Sequence, residues 1–470
     1  MDGPDPKQSC PLEWGQGLTE QLRGFLIEEC MKAIKVGLLG FGTIGTGVIK
    51  VIQSNAAIME QRLGTPVQLA RVVDRDITTD RGVALEPGVL SDDAQGLLTD
   101  PDIDVVIELI GGYEPARTFV LEALNNGKHV VTANKALLAL HGEELLRAAD
   151  ENGVTLMFEA AVAGGIPVLA SIRENLCANQ FSGVYGILNG TCNYILTRMT
   201  ESDEDFASVL ADAQKFGYAE ADPTFDIEGI DTAHKLSILV SMCFGTWIDF
   251  DQIYTEGITR ISALDIEFAS QLGYQVKLLA IGKLDNGSIE ARVHPTMVPD
   301  NYPMADVQGV FNAIRLNGDF VGPVLLHGSG AGMEATASAV MGDVMSIARS
   351  ILSGAREFTP SLGYTPAAIT RLPVKAMDDL VGRYYLRFIV EDAPGVLAKI
   401  STILGDFGIS INSMIQPDEM YESDVEGILP IVMMTHEARE KNVRQALEKI
   451  EALPIVKQEC LLIRIEDKLN

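Results

Sequence analysis

Apolar strands alternating with helices over residues 33–158, a glycine-rich turn between the first strand and the first helix, and a β-α-β-β-α-β order over residues 384–465 predict an α/β chain in three folded parts. The first is a doubly wound parallel sheet over 31–158, with a return segment near 328–353. The second, 159–327, is an α+β unit. A linker over 354–378 leads to a ferredoxin-like βαββαβ unit over 379–470. At 470 residues the chain has length for two to four domains with full cores.

Residues 1–30 stand apart. Pro4, Pro6 and Pro11 disfavour regular structure, and a short helix from Leu18 to Glu29 leads to Met31. The segment reads as an N-terminal extension that is disordered or lies upstream of a working initiator at Met31; an ordered arm is the other reading. Ile34 to Leu39 is a buried strand, and Thr46 to Ile52 is helix-like. Between them runs Gly40-Phe41-Gly42-Thr43-Ile44-Gly45, a Gly-x-Gly-x-x-Gly turn in the setting that binds a dinucleotide. Gly40 permits the tight turn, Gly42 lets a pyrophosphate approach the backbone, and Gly45 lets helix and strand pack closely. The helix N-terminus then offers free N–H groups to phosphate. Strands follow at Val67–Val73, Val105–Ile110, His129–Thr132 and Val154–Phe158, with helices at Pro115–Asn126 and Ala136–Glu151. Asp74, closing the second strand, suits a ribose 2′-hydroxyl and so NAD; Arg75 beside it suits a 2′-phosphate and so NADP. Thr132-Ala-Asn-Lys135 ends a strand, where open α/β sheets bind ligands, which places Lys135 near substrate or nicotinamide.

A net charge of −29 argues against a nucleic-acid surface. The apolar run Leu236–Ile248 is too short to span a bilayer and is interrupted by Gly245. The six cysteines show neither Cys-x-x-Cys nor zinc spacing and read as reduced thiols of a cytoplasmic protein. No Gly-Lys-Ser/Thr element is present, against a P-loop kinase.

Chemistry concentrates in the second unit. Tyr218 to Lys235 packs five carboxylates and one lysine into eighteen residues and leads into the apolar run Leu236–Phe244. On a helix Asp231 and Lys235 share a face and can touch. Asn189, Thr191 and Asn193 gather before another helix, as caps or as contacts to a small substrate. Glu159-Ala-Ala-Val-Ala-Gly-Gly-Ile-Pro167 is a turn whose small residues free carbonyls to point inward. Leu326-His-Gly-Ser-Gly-Ala-Gly332 is a second glycine turn, leading to a helix over Thr336–Ile347, that could meet the cofactor from the opposite side. His234 points about 100° from Lys235 and reads as structural; His294 and His327 have no partner at metal spacing.

In this order, the phrases Gly40–Gly45, Thr132–Lys135, Glu159–Pro167, Asn189–Tyr194, Tyr218–Lys235 and Gly330–Asp343 resemble homoserine dehydrogenase in its monofunctional form. The similarity covers about residues 33–350. The sequence departs from the family at Ala335, where proline is usual, and at Val73, where many relatives carry a polar or basic residue. The resemblance implies reversible reduction of L-aspartate 4-semialdehyde to L-homoserine by NADPH or NADH. It implies Lys235 as proton donor, with Lys135 near nicotinamide and substrate. Glu220 and Asp231 would hold the substrate ammonium, Asp226 would support the site, and Gly217, Gly330 and Gly332 would join the cofactor contacts. A structural Na+ or K+ would sit on the carbonyls of Glu159, Val162, Gly164 and Ile166. A homo-oligomer, dimer or tetramer, is implied too.

After the linker, Tyr384–Val390, Ile409–Gln416, Ile428–Thr435 and Glu459–Ile465 read as strands, and Val396–Phe407 and Lys441–Ala452 as helices. Asp392-Ala-Pro-Gly-Val-Leu397 and Ile409-Ser-Ile-Asn412 resemble an ACT domain. That resemblance implies an amino-acid effector, L-threonine, held by Asp392, Gly395, Val396, Leu397 and Asn412; a pure dimerisation module is the alternative. Met414, Met420, Met433 and Met434 read as core and turn residues. Two further functions fit the residues less well. A sugar oxidoreductase usually carries Glu-Lys-Pro where this chain has Thr132-Ala-Asn-Lys135. A non-catalytic sensor would have lost Glu220, Asp231 and Lys235.

Overall fold

The computed structural model describes residues 33–202, 204–354, 359–416 and 427–469. The N-terminal extension, the helix expected at Leu18–Glu29, Met31 and Met420 lie outside the described residues.

Six strands form the first sheet: β1 (Ile34–Leu39), β2 (Val67–Val73), β3 (Leu90–Ser91), β4 (Val105–Glu108), β5 (His129–Thr132) and β6 (Leu156–Met157). All pair in parallel, in the order β3-β2-β1-β4-β5-β6. Such strands are covered on both faces, which is why β1 and β4 read as unbroken apolar runs. The order reverses between β1 and β4, and there the strand ends open a crevice. Helix Met333–Ser353 returns to this unit; its Ala337, Val340, Met341 and Val344 share a core with Val36, Leu38, Val48 and Ile49. A Cβ on Gly47 would lie 2.7 Å from Met333 Cγ, so the glycine sets how closely that helix approaches.

The second unit is an antiparallel sheet of β7 (Phe181–Ile187), β9 (Tyr274–Asp285), β10 (Ser288–Pro299), β11 (Phe311–Gly318) and β12 (Gly322–Ser329), with the short β8 (Tyr254–Thr255) beside β10. Helix Ile230–Phe244 lies on it, and every residue after Ile230 is buried. A Cβ on Gly282 of β9 would come within 3.0 Å of Val240 on that helix, which fixes the helix tightly to the sheet.

The C-terminal unit comprises β13 (Val381–Glu391), helix Val396–Asp406, β14 (Ile411–Ile415), β15 (Ile428–Thr435), the short β16 (Ala438–Arg439), helix Glu440–Glu451 and β17 (Leu461–Ile465). It does not stand alone. β17 pairs in parallel with β10 through Thr296–Arg464 and Met297–Ile465, so one eleven-stranded sheet runs β12-β11-β7-β9-β10-β17-β13-β15-β14, with β8 beside β10 and β16 beside β13.

The expected linker is a strap. Thr370 N–H donates to Gly245 O (3.0 Å) and its carbonyl accepts from Trp247 N–H (3.0 Å). Farther along, Ile289 N–H donates to Pro373 O (2.8 Å) and Lys375 N–H to Ile289 O (2.8 Å). Ile369, Leu372 and Val374 pack on the core, and this burial holds a segment whose Gly, Pro and Thr content suggested a tether. No helix among the described residues is long and apolar enough to cross a membrane.

Candidate active site

Helix Ile230–Phe244 starts after Gly229, whose φ of 79° only glycine adopts without strain. Asp231 lies in the first turn, where the helix dipole favours negative charge. One turn on, Lys235 Nζ meets Asp231 Oδ2 at 2.6 Å and donates to Leu188 O at 2.7 Å. The other oxygen of Asp231 lies 3.4 Å from Lys135 Nζ. One buried carboxylate thus holds two ammonium groups, one from each of the first two units. Burial works against the Asp231 charge, but Lys235 and Lys135 outweigh it and hold the carboxyl below its ordinary range.

Lys135 is the first residue of helix Lys135–Asn152, and its half-exposed side chain faces the crevice. Asn134 caps that helix by accepting from Leu137 N–H and donates to Gly112 O at 2.7 Å. Thr132 Oγ1 donates to the buried Glu108 at 2.6 Å, and Glu108 accepts from Ile110 N–H. These bonds tie the ends of β4 and β5 together, so Lys135 stands on a rigid edge.

Asn189 Nδ2 donates to Asp226 Oδ1 (2.7 Å) and Asp231 Oδ2 (3.0 Å), while its oxygen accepts from Cys192 N–H. It is both a cap and a clamp on two carboxylates. Burial, and next the Asp231 charge, push the Asp226 carboxyl up against the pull of Asn189 and Lys235. Thr191 Oγ1 donates to Tyr218 O at 2.7 Å, and Tyr194 packs on the Tyr218 ring at 4.7 Å. The cluster therefore unites Lys135, Asn189, Asp226, Asp231 and Lys235, with Thr191 at its border.

Glu220 is not in it. Its side chain is exposed, and its carbonyl accepts from Gln214. The acidic phrase is not one helix: helix Thr224–Ile227 is separated from the next by Gly229, and Glu220 precedes both in coil. Gly217 (φ 78°) turns the chain here, between exposed Phe216 and Tyr218. His234 is buried with its ring stacked on Phe250 at 4.5 Å.

At the glycine turn, a Cβ on Gly40 (φ 99°) would lie 2.6 Å from Leu109 O, and one on Gly45 would lie 2.2 Å from Gly40 O. A Cβ on Gly42 would meet nothing within 4 Å, so this side of the turn is an open cradle. The helix begins at Thr43, earlier than the sequence suggests, because Gly42 is its N-cap. Its free N–H groups and the half-buried Ile44 therefore border the cradle. The turn fits a dinucleotide pyrophosphate. Asp74 Oδ2 accepts from Phe41 N–H at 2.6 Å, so this carboxylate braces the turn itself.

Arg75 is exposed. The guanidinium that does come over the site is Arg81, 4.6 Å above the Phe41 ring and 3.7 Å and 3.4 Å from Asp74 and Asp76. Sequence reasoning missed it, because it lies six residues along an aperiodic loop.

The turn after β6 carries Ala163 (φ 56°) and Gly164 (φ 51°), two successive left-handed residues. A Cβ on Gly164 would lie 2.6 Å from Gly330 O, and Gly165 N–H donates to Ser329 O, so the two glycine turns of this unit touch. Gly330 is buried against Asn312, and Gly332 (φ 106°) caps helix Met333–Ser353. Glu159, Val162, Gly164 and Ile166 are buried; the carbonyls of Glu159 and Ile166 already accept from Val162 and Val168. Glu159 caps the next helix through Leu169 and Ala170 N–H, and its own N–H donates to Asp343 at 2.7 Å. Burial raises both carboxyls, Asp343 to about 7.

In the C-terminal unit Gly395 (φ 89°) caps helix Val396–Asp406, Asp392 N–H donates to Gly427 O, and Leu397 is half-buried. Asn412 is the bulged residue where β14 shifts register against β15, and its side chain is exposed.

Comparison with known families agrees over most of the chain. Residues 40–159 match the family model for the NAD binding domain of homoserine dehydrogenase, 167–345 that for homoserine dehydrogenase, and 384–455 that for the ACT domain. A homoserine dehydrogenase from Pseudomonas aeruginosa is 44% identical over 93% of this chain and 99% of the relative; one from Neisseria gonorrhoeae is 42% identical over the same shares. The solved structure of a Thiobacillus denitrificans homoserine dehydrogenase superposes with a TM-score of 0.87 at 45% identity, covering 93% of this chain and 99% of the other. A hyperthermophilic archaeal homoserine dehydrogenase in complex with NADPH gives 0.55 at 25% identity, over 67% and 97%.

Proposed function

The chain belongs to the homoserine dehydrogenase family and is an oxidoreductase acting on the CH–OH group of homoserine, and we propose that Lys235 moves the proton in its interconversion of L-homoserine and L-aspartate 4-semialdehyde. The carrying observation is the Lys235–Asp231–Lys135 chain at 2.6 and 3.4 Å. The nicotinamide cofactor, when bound, gives or takes the hydride at the carbon bearing the oxygen. On reduction that oxygen becomes an alkoxide, and Lys235 Nζ supplies its proton; on oxidation the amine takes the proton back. Lys135, beside it at the crevice edge, offsets the developing negative charge. Asp231 keeps both ammonium groups aimed at one point, and Asn189, itself held by Asp226, fixes Asp231. Asp231 and Glu220 hold the substrate ammonium, Glu220 from the exposed coil after Tyr218, and Asn189 and Thr191 add polar contacts.

The glycine cradle takes the pyrophosphate. Gly217, Gly330 and Gly332 border the cofactor. Asp74 offers an acceptor to a 2′-hydroxyl and Arg81 a cation to a 2′-phosphate, and the archaeal relative's NADPH complex supports use of NADP. The turn with two left-handed residues supports a structural Na+ or K+ on its carbonyls, of which Val162 and Gly164 are the freer pair. The C-terminal unit supports feedback by L-threonine at Asp392, Gly395, Val396, Leu397 and Asn412, in a cytoplasmic pathway toward threonine, methionine and isoleucine. The enzyme works as a dimer or tetramer.

The test is initial rates of the full chain on L-homoserine with NAD+ and NADP+, with and without L-threonine. Turnover with at least one cofactor is expected, with a lower rate in threonine. No turnover with either would refute the reaction, and a rate indifferent to threonine would remove the regulatory reading alone.

A further inference from the structure

The joint between the catalytic sheet and the C-terminal unit forms an open cleft with a volume of about 370 Å³. That volume lies within the roughly 300–1,000 Å³ of small-molecule sites. Its wall is made by both units, and no member of the Lys235–Asp231 cluster lines it. It is also remote from the Asp392 turn: the cavity meets the start of β13, whereas Asp392 follows its end, roughly 30 Å away at about 3.3 Å per residue.

The wall is densely charged and nearly balanced, with five basic and six acidic side chains. The charges are paired across the joint. Lys283 and Arg292, from the catalytic sheet, share the Glu466 carboxylate at 2.9 and 3.0 Å. Arg292 also holds Glu290 at 2.6 Å, and on the C-terminal side Arg383 holds Asp467 at 2.6 Å. An anion alone or a cation alone would meet as many like charges as opposite ones. A molecule carrying both signs a few ångströms apart can join the pairs without leaving a surplus.

We propose that this cavity is a binding site for a small zwitterion, a carboxylate and an ammonium on one short skeleton as in an α-amino acid. The ligand touches both units at once, so its binding reports on how they are joined and couples to the catalytic sheet. The proposal rests on the regulatory reading above only for one of its probes, L-threonine.

Gly382 gives a clean test. A Cβ there would meet only the end of Tyr384, its hydroxyl at 3.8 Å and Cζ at 4.0 Å, and Gly382 lines the cavity, so Gly382→Leu fills part of it without removing a charge. Arg383→Gln keeps the volume and removes one cation. Calorimetric titration of the full chain with glycine, L-threonine and L-methionine should show binding of at least one. For that probe both variants should weaken the dissociation constant at least tenfold, Asn412→Ala should leave it unchanged, and the N-acetylated probe should not bind. No binding by any probe overturns the proposal, as does wild-type affinity in Arg383→Gln and in a folded Gly382→Leu. Loss of binding in Asn412→Ala alone also overturns it and places the ligand on the Asp392 turn. Threonine inhibition is scored separately by kinetics. Binding without inhibition leaves this site standing and ends the regulatory reading; when L-threonine is the probe that binds, inhibition and binding both untouched by the two variants overturn this site and leave the regulatory reading standing.

Discussion

Replacing Lys235 with alanine removes an ammonium held 2.6 Å from Asp231 and 2.7 Å from Leu188 O. The expected cost has two parts. Breaking a buried ion pair by deleting one partner destabilises by roughly 3–5 kcal/mol. Here the lower end applies, because Lys135 at 3.4 Å and the Asn189 amide at 3.0 Å still face the carboxylate. About 3 kcal/mol corresponds to roughly 6–12 °C in Tm for a domain of 150–250 residues. The catalytic loss is separate: a general acid–base group is worth about 10²–10⁴ in rate. Initial rates on L-homoserine, taken well below the variant's Tm, should show kcat down by that factor and KM changed much less. Cofactor affinity should survive, since the Gly40–Gly45 turn is untouched. Lys235→Arg separates the two costs. It keeps the charge and should recover part of the lost Tm, but a guanidinium does not give up its proton at working pH, so kcat should stay low. Near-normal kcat in Lys235→Ala, with a large loss in Lys135→Ala, would show that Lys135 is the proton donor and that the assignment is wrong.

Three other outcomes are expected. Asp231→Asn keeps the shape but removes the charge that aligns two lysines, and KM for L-homoserine should rise about tenfold or more, as a charged hydrogen bond worth about 1.5–3 kcal/mol implies; an unchanged KM would show that Asp231 serves only the protein. Arg81→Ala should raise KM for NADP+ about tenfold or more and that for NAD+ less than twofold; equal losses with both cofactors would mean Arg81 only braces Phe41. Asp343 has its carboxyl raised from 3.8 to about 7 in the folded chain, chiefly by burial, so it is neutral in the fold where the unfolded chain is already ionised. It therefore costs stability progressively as pH rises from about 4 to about 7, and Asp343→Asn should remove that slope, at most about 4 kcal/mol by linkage; parallel Tm curves for the two proteins across this range would count against the burial argument.

What the sequence revealed depended on whether a local rule governed the position. The Gly40–Gly45 turn was legible because Gly40 and Gly45 have no room for a side chain. Asp231 and Lys235 were legible because a spacing of four on a helix sets them on one face. The doubly wound sheet was legible because strands such as Val105–Glu108, covered on both faces, are continuously apolar. The antiparallel strands of the second unit were not: Asn312–Gly318 is buried throughout and shows no alternation to mark it as part of a half-exposed sheet. Glu220 was grouped with Asp226 and Asp231 by the family phrase, and no local rule told that it sits exposed in coil, outside the buried cluster, because Gly229 breaks the segment before the helix starts. Arg81 had no signal, since its place depends on how an aperiodic loop folds back over Phe41. The strap was read from its glycines and prolines, although Ile369, Leu372 and Val374 are what dock it. The described cysteines carry no disulfide, Cys192, Cys243 and Cys460 being buried and Cys177 exposed.

The junction of the units escaped the sequence for a deeper reason. A βαββαβ pattern is complete within residues 381–465, and nothing local announces that its last strand also pairs outward. Yet β17 lies between β10 and β13, and Glu466 N–H donates to Met297 O at 3.0 Å. Cutting the chain before β13 would therefore do more than delete an effector site. It would bare the edge of β10, including the buried Met297 and Val298, and leave Lys283 and Arg292 without the Glu466 carboxylate they share. Exposed edges invite aberrant pairing, and buried charges stripped of partners cost several kcal/mol. Lost activity in such a truncation would say nothing about regulation, because the catalytic sheet itself would be damaged. Point changes that leave β17 in place, such as Asn412→Ala at the β14 bulge and Gly382→Leu in the joint, are the perturbations that can separate effector binding from the integrity of the sheet.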